Sequence, residues 1–315
     1  MERGDTMADN KNITFKTTVI SVVTVVDILV NSLVTIVIVR HPQLREDRST
    51  LFMLSLTVSD LCNGFTTMPL SAFFCMNNTA NVTFILKMHR FFSRLFVMVS
   101  LYSLCWVTLS KMVAILMPFR YEQLLSPRRC YVIISCVWLF GIILTAVGFR
   151  LDVKWNQTFC ITTNSYYPHA PLSTKIGLSL GVAVPLIVTV YASGRILLVI
   201  VKTNLQITAQ VNSIGGHTGV VLSSPTAITL QSIRAGRNIL LICAATLVLT
   251  VPMIIFILVS MVLNIQMSES FQFTSVWIVM CNSSVNGILY MFLFRSVRRR
   301  MLRMVRDVCD SFCSS

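Results

Sequence analysis

The chain has 315 residues, 55% of them hydrophobic and only 12% charged, with a mean hydropathy of +0.75 and a net charge of +14. A soluble domain carries about 25% charged residues, so the composition excludes a water-soluble globule and points to a polytopic membrane protein. In a soluble protein such a basic balance would suggest nucleic acid; in a membrane protein the question is on which side the cations sit, and no nucleic-acid partner is expected.

Residues 1–16 are polar and of mixed charge and read as an extracellular tail. The apolar run that follows is of full spanning length, unlike the short apolar core of a secretion signal, so the first span is expected to act as its own targeting signal. Apolar runs recur at about 17–40, 51–75, 84–116, 130–149, 174–201, 237–264 and 272–294. Lipid leaves only helices or closed barrels, and these runs are too long for barrel strands. The prediction is an all-α membrane protein with a seven-helix transmembrane domain over 17–294 and a cytoplasmic segment over 295–315.

Two independent signals orient the bundle. With the N-terminus outside, 17 of the 26 Lys and Arg fall in inner loops, inner helix ends or the tail. That is the expected cytoplasmic excess. The N-x-S/T acceptors Asn12, Asn77, Asn81 and Asn156 then all fall outside, as glycosylation requires. A fifth, Asn282, lies inside the last span and should go unused. The inner stretch 203–232 is rich in Ser, Thr, Gly and Gln and reads as a flexible loop.

Beyond the last span, Phe294, Val297, Met301, Met304 and Val305 recur at helical spacing with arginines between them. This predicts a short amphipathic eighth helix on the anionic inner leaflet, with membrane lipids as partners. A basic tail that merely obeys the charge rule is the alternative. Cys309 and Cys313 follow as candidate palmitoylation sites.

Asp60 sits inside the second apolar run, in Leu54-Ser55-Leu56-Thr57-Val58-Ser59-Asp60-Leu61. An ionisable group at that depth is expensive and marks a bundle interior or a functional site. Polar residues and prolines recur mid-run elsewhere: Asn31, Ser100, Trp138, Pro185, Pro252, and Asn282, Ser283 and Asn286 in the last span. The last three are spaced i, i+1 and i+4 and can share one helix face.

In order and spacing, Asn31, Leu56 with Asp60, Trp138, Pro185, Pro252 and the Asn286-Gly287-Ile288-Leu289-Tyr290 region resemble the rhodopsin-like (class A) G-protein-coupled receptors, over essentially residues 17–308. The resemblance implies a plasma-membrane receptor, not an enzyme, that passes an extracellular ligand's signal to a heterotrimeric G protein. It also implies an allosteric sodium ion at Asp60, Ser100, Asn282, Ser283 and Asn286, oxygen-bearing types that suit a hard cation. A hydrogen-bonded polar plug without an ion is the alternative, and no other cofactor is expected.

The departures cluster toward the cytosol. Ser110-Lys111-Met112 stands where the family has D-R-Y, Ser232 where many members carry an acid, Thr250 in place of an aromatic before Pro252, and Gly287 in place of a proline. Lys111 and Tyr290 remain the implied coupling residues, although Lys lacks arginine's planar fork. A non-signalling or constitutively active relative is the alternative. The family's disulfide joins the third helix to the second outer loop. Cys160 lies in that loop, but Leu86 holds the third-helix position. Cys75, at the outer end of the second span, is the expected partner.

At the outer end of the third span, Lys87, Arg90 and Arg94 are spaced i, i+3 and i+7, with Arg94 about 10 Å deeper than Lys87. With Ser93 they form the candidate ligand end. Inward-facing, they call for an anionic ligand group. Ser93 stands where amine receptors carry an acid, which argues against a monoamine ligand. His89 and His169 read as loop residues, with a ligand contact as the alternative. A transporter or channel using Asp60 as an ion relay is a weaker reading, because inverted repeats and broken helix pairs are missing.

Overall fold

A computed structural model of the chain describes residues 2–76, 83–151, 172–214, 224–262 and 268–313. The described elements are α1 (Glu2–Arg40), a 3-10 turn (Pro42–Glu46), α2 (Arg48–Met76), α3 (Thr83–Leu116), α4 (Pro118–Leu124), α5 (Pro127–Leu151), α6 (Leu172–Ile214), α7 (Ser224–Val262), α8 (Glu269–Leu293) and α9 (Arg295–Cys313). Helices α1, α2, α3, α5, α6, α7 and α8 make a seven-helix bundle. α3 touches α2, α5, α6 and α7, while α1 lies between α2 and α8.

Six of the described helices are long and apolar enough to span a membrane by composition alone, and α2 is not among them. The reason is burial. α2 encloses Ser49, Thr50, Ser55, Thr57, Ser59, Asp60, Asn63 and Thr67 between its neighbours. A helix shielded from lipid need not be apolar all round. The outer helices show the converse, exposing Val132, Leu139, Ile187 and Val248 to the lipid side.

Along the membrane normal the core is layered. Ile20, Met68, Cys75, Phe273 and Trp277 form an outer apolar cluster of α1, α2 and α8. A larger inner cluster includes Val34, Ile38, Phe52, Leu56, Leu104, Ile196, Ile242, Tyr290 and Val297. The buried polar residues Asp27 and Asn31 of α1, Asp60 of α2, and Asn282, Ser283 and Asn286 of α8 lie between the two in sequence, and Ser100 of α3 is buried one turn outward of Leu104 in the inner cluster. Trp138 extends the polar contacts sideways, donating to Ser55 Oγ at 3.1 Å, which in turn meets Ser103 Oγ at 3.1 Å.

Three elements differ from expectation. α1 runs outward to Glu2, through the stretch read as a tail. The predicted inner loop over 203–232 is mostly helix, since α6 continues to Ile214 and α7 begins at Ser224. Between Thr203 and Ile214 there is no Pro or Gly to stop the helix, and Gly215-Gly216 follow at once. The inner helix α4 is an addition, a short piece opened by Pro118 and too brief to show as an apolar run.

The amphipathic eighth helix of the bundle is α9. Val297 is buried in the inner cluster with Met301 and Met304 against it, while Arg298, Arg299, Arg303 and Arg306 face out. Arg300 ties it to the first inner loop through Gln43 Oε1 at 2.8 Å.

Two glycines set the approach of α1. A Cβ on Gly64 would lie 2.7 Å from Asp27 Oδ2, and one on Gly287 would lie 2.5 Å from Val30 Cγ1. Gly287 thus has a steric reason for standing where the family has proline. We expect Gly64→Ala to cost about 1–3 kcal/mol, the usual range for overpacking. Gly194→Ala, where a Cβ meets nothing within 4 Å, is the neutral control. Thermal unfolding of purified protein in detergent compares the two.

Candidate functional site

The buried centre is built by α1, α2, α3, α7 and α8. Asp60 is 3% exposed, and Ser100 from α3, Ser283 from α8 and Asp27 from α1 face its carboxyl. Asp60, Ser100 and Ser283 are thus brought together. Asn282 and Asn286 are buried on the same helix, with different roles. Asn286 Oδ1 accepts from Thr246 Oγ1 of α7 at 3.2 Å, so its oxygen is engaged. Asn282 Oδ1 is buried without a hydrogen-bond partner.

Asp27 is the residue the sequence reading left out of the centre. It is fully buried, and its Oδ1 accepts from Asn31 Nδ2 at 2.9 Å, Ser283 Oγ at 2.5 Å and Ser284 Oγ at 3.5 Å. Ser283 thus bonds Asp27 as well as facing Asp60. The signal was present in the sequence: Asp27 and Asn31 are i, i+4 partners in an apolar run. Asp60 Oδ2, Asp27 Oδ2, Asn31 Oδ1 and Asn282 Oδ1 are buried acceptors without donors. Unanswered oxygens, two of them on carboxylates, are what a hard cation would satisfy. The residues present therefore fit the expected ion, with Asn286 the least suited of the five.

At the inner end, Lys111 Nζ donates to Asp47 Oδ2 at 2.5 Å. Asp47 stands just before α2 and accepts from Ser49 N at 3.2 Å and Ser49 Oγ at 2.8 Å, the N-cap pattern. Tyr121 of α4 adds its hydroxyl to Asp47 Oδ1 at 3.4 Å. Burial, followed by the Asp47 carboxylate, raises the Tyr121 phenol far above its ordinary value, so it stays a donor. Neither expected coupling residue is offered to the cytosol in this conformation. Lys111 is engaged with Asp47, and Tyr290 is fully buried against Phe294 with no partner for its hydroxyl.

At the outer end, Arg90 is buried, while Lys87, Ser93 and Arg94 are half-buried, and Arg90 and Arg94 each engage in further contacts. His89 is not a loop residue. It is buried in α3 with Nε2 at 2.8 Å from Ser71 Oγ and 3.0 Å from Thr67 O, and its ring meets Phe74 edge-on. Lys16 of α1 is buried over the Phe273 ring at 5.6 Å. His169 lies outside the described residues.

Cys75 is disulfide-bonded. Its expected partner Cys160 lies outside the described residues, as do Asn77, Asn81 and Asn156. Asn12 is exposed on α1, and Asn282 is buried and so closed to glycosylation. Cys309 and Cys313 are on α9, with side chains outside the described set. Among the described free cysteines, Cys105, Cys130 and Cys243 are buried, Cys62 and Cys281 half-buried, and Cys136 exposed on α5.

Comparison with known proteins adds the family. Residues 30–290 match the family described as 7 transmembrane receptor (rhodopsin family). The chain is 26% identical over 136 residues to the D(1A) dopamine receptor of Didelphis virginiana, covering 41% of this chain and 29% of that receptor. It is 30% identical over 125 residues to galanin receptor 2a of Danio rerio, covering 39% and 34%. It is 24% identical over 260 residues to the histamine H2 receptor of Canis lupus familiaris, covering 81% and 69%. The chain spans about a third of the length of the first two relatives.

Proposed function

The chain belongs to the rhodopsin family of seven-transmembrane receptors, and from that premise we propose that it carries an extracellular ligand's signal across the plasma membrane to a heterotrimeric G protein. Membership places it among receptors, not enzymes. The observation that carries the reading is the buried polar layer between two apolar clusters. Directional contacts there give the bundle discrete arrangements to choose between. A bistable element that ligand and partner both bias is the physical content of transduction.

In this reading a cation at Asp60, sodium by the family pattern, steadies the inactive arrangement. The chain's residues for it are Asp60, Ser100, Ser283 and Asn282. The ligand enters from the outer end, near Lys87, Arg90, Ser93 and Arg94, and carries an anionic group. Support comes from the cationic face of α3, and from Ser93 standing where amine receptors carry an acid. The dopamine and histamine receptors among the relatives are amine receptors by name, so the ligand class is a point on which this chain should part from them.

The test is a panel of G-protein activation sensors in cells expressing the receptor, read with sodium or choline outside. We expect basal activation of at least one G protein, lowered by sodium, and loss of the sodium effect in Asp60→Asn. Silence across the panel, with the receptor at the cell surface, would overturn the G-protein reading.

A further inference from the structure

The buried centre holds two carboxylates, and a single sodium ion balances only one. Asp27 is fully buried and Asp60 is 3% exposed. Among the described residues, no Lys or Arg of α1, α2 or α8 lies at their depth. Lys16, about three turns outward from Asp27, sits over Phe273. Two uncompensated charges at that depth would be very costly.

The hydrogen bonds are lopsided in a telling way. Three donors converge on Asp27 Oδ1, while Oδ2 receives none. Donors gather on an oxygen that carries charge. Oδ2 is turned against the bare backbone of α2 at Gly64, where any side chain would collide with it. Asp60 Oδ2, Asn31 Oδ1 and Asn282 Oδ1 are also buried and unpartnered. Ser283, bonded to Asp27, also faces Asp60, so its hydroxyl bridges the two acids. Together with Ser100 these groups give six oxygens from α1, α2, α3 and α8, two of them on carboxyl groups.

That inventory suits an oxygen-seeking cation with two positive charges. Calcium takes six to eight oxygens in a flexible shell, whereas magnesium keeps several waters and a strict octahedron. We propose that Asp27 is a second acidic ligand of the Asp60 site, and that the site takes a divalent cation of the calcium type in preference to sodium. This rests on the reading that Asp60 holds a cation, and it changes which cation the site prefers.

The test is thermal unfolding of the full-length receptor in detergent, with choline chloride holding ionic strength constant, titrated with CaCl2 or NaCl. Millimolar CaCl2 should raise the wild-type midpoint by about 5 °C, the size expected for a well-saturated site. Asp27→Asn should lose the calcium shift and keep a sodium shift, and Asp60→Asn should lose both. A calcium shift that survives Asp27→Asn overturns the inference. So does a wild type that responds to NaCl but not to CaCl2, a result that leaves the sodium reading of Asp60 intact. A wild type that answers to neither ion overturns both. Should Asp27→Asn fail to fold, the wild-type comparison of the two salts still decides.

Discussion

Asp47→Asn will raise basal G-protein activation about two- to five-fold, measured with the same sensors at matched surface expression. The substitution isolates one interaction. Asparagine caps a helix as well as aspartate does, so the start of α2 should survive. What is lost is the charge that holds Lys111. The side chain of Lys111 is 12% exposed and that of Asp47 is 43% exposed, so solvent screens part of the attraction. An exposed ion pair is worth about 0.2–1 kcal/mol, a population shift of about 1.4- to 5-fold, and the shielded Lys111 puts this pair in the upper part of that range. Lys111→Gln breaks the same contact but also removes an expected coupling residue, so its rise should be smaller than that of Asp47→Asn, and the double variant should match Lys111→Gln.

The pH dependence of this restraint has a definite sign. Burial raises the Asp47 carboxyl, but the Lys111 ammonium and the bonds from Lys111 and Ser49 outweigh it and hold the group below its ordinary value of 3.8. For a depressed carboxyl the stabilisation is fully present above the ordinary value and is lost as pH falls through the folded-state value. Mild cytosolic acidification should therefore leave the pair intact. In a family where an arginine usually serves this end of the third helix, Lys111 has a different partner, supplied by the first inner loop. Asp47 supplies the carboxylate beside Lys111 that position 110, a serine, does not.

Cys75→Ala will cost about 2–5 kcal/mol of stability, the usual value of a native disulfide, and cut the amount of folded receptor at the cell surface. The lower part of that range is expected. Helices held in the bilayer have less freedom to lose than a soluble unfolded chain, so the cross-link removes less entropy. Cys75 is buried in the outer apolar cluster beside Ile20, Met68, Phe273 and Trp277. Alanine is the better probe there, since serine would add an unpartnered hydroxyl. If Cys160 is the partner, as we propose, Cys160→Ala will match the loss and the double variant will add nothing. A free Cys160 thiol in non-reduced wild-type protein would exclude that pairing.

Much of this receptor is determined by sequence alone. Span lengths, the basic excess on one side and the amphipathic spacing of Val297, Met301 and Met304 follow from the thickness and chemistry of a bilayer. These act on each segment separately. Asp60 stood out for the same reason, as a charge that lipid cannot solvate. Partnerships between helices are another matter, because they depend on each helix's rotation and depth, and packing decides both. Two glycines bring α1 close enough for Asp27 to join Asp60 at the Ser283 hydroxyl. The same close packing buries Tyr290 in the inner cluster and seats His89 between α2 and α3. At the inner end, Lys111 looked like a weakened coupling residue until the first loop placed Asp47 at 2.5 Å from it. A one-dimensional pattern shows which groups must avoid lipid, but the three-dimensional packing decides which group each of them meets.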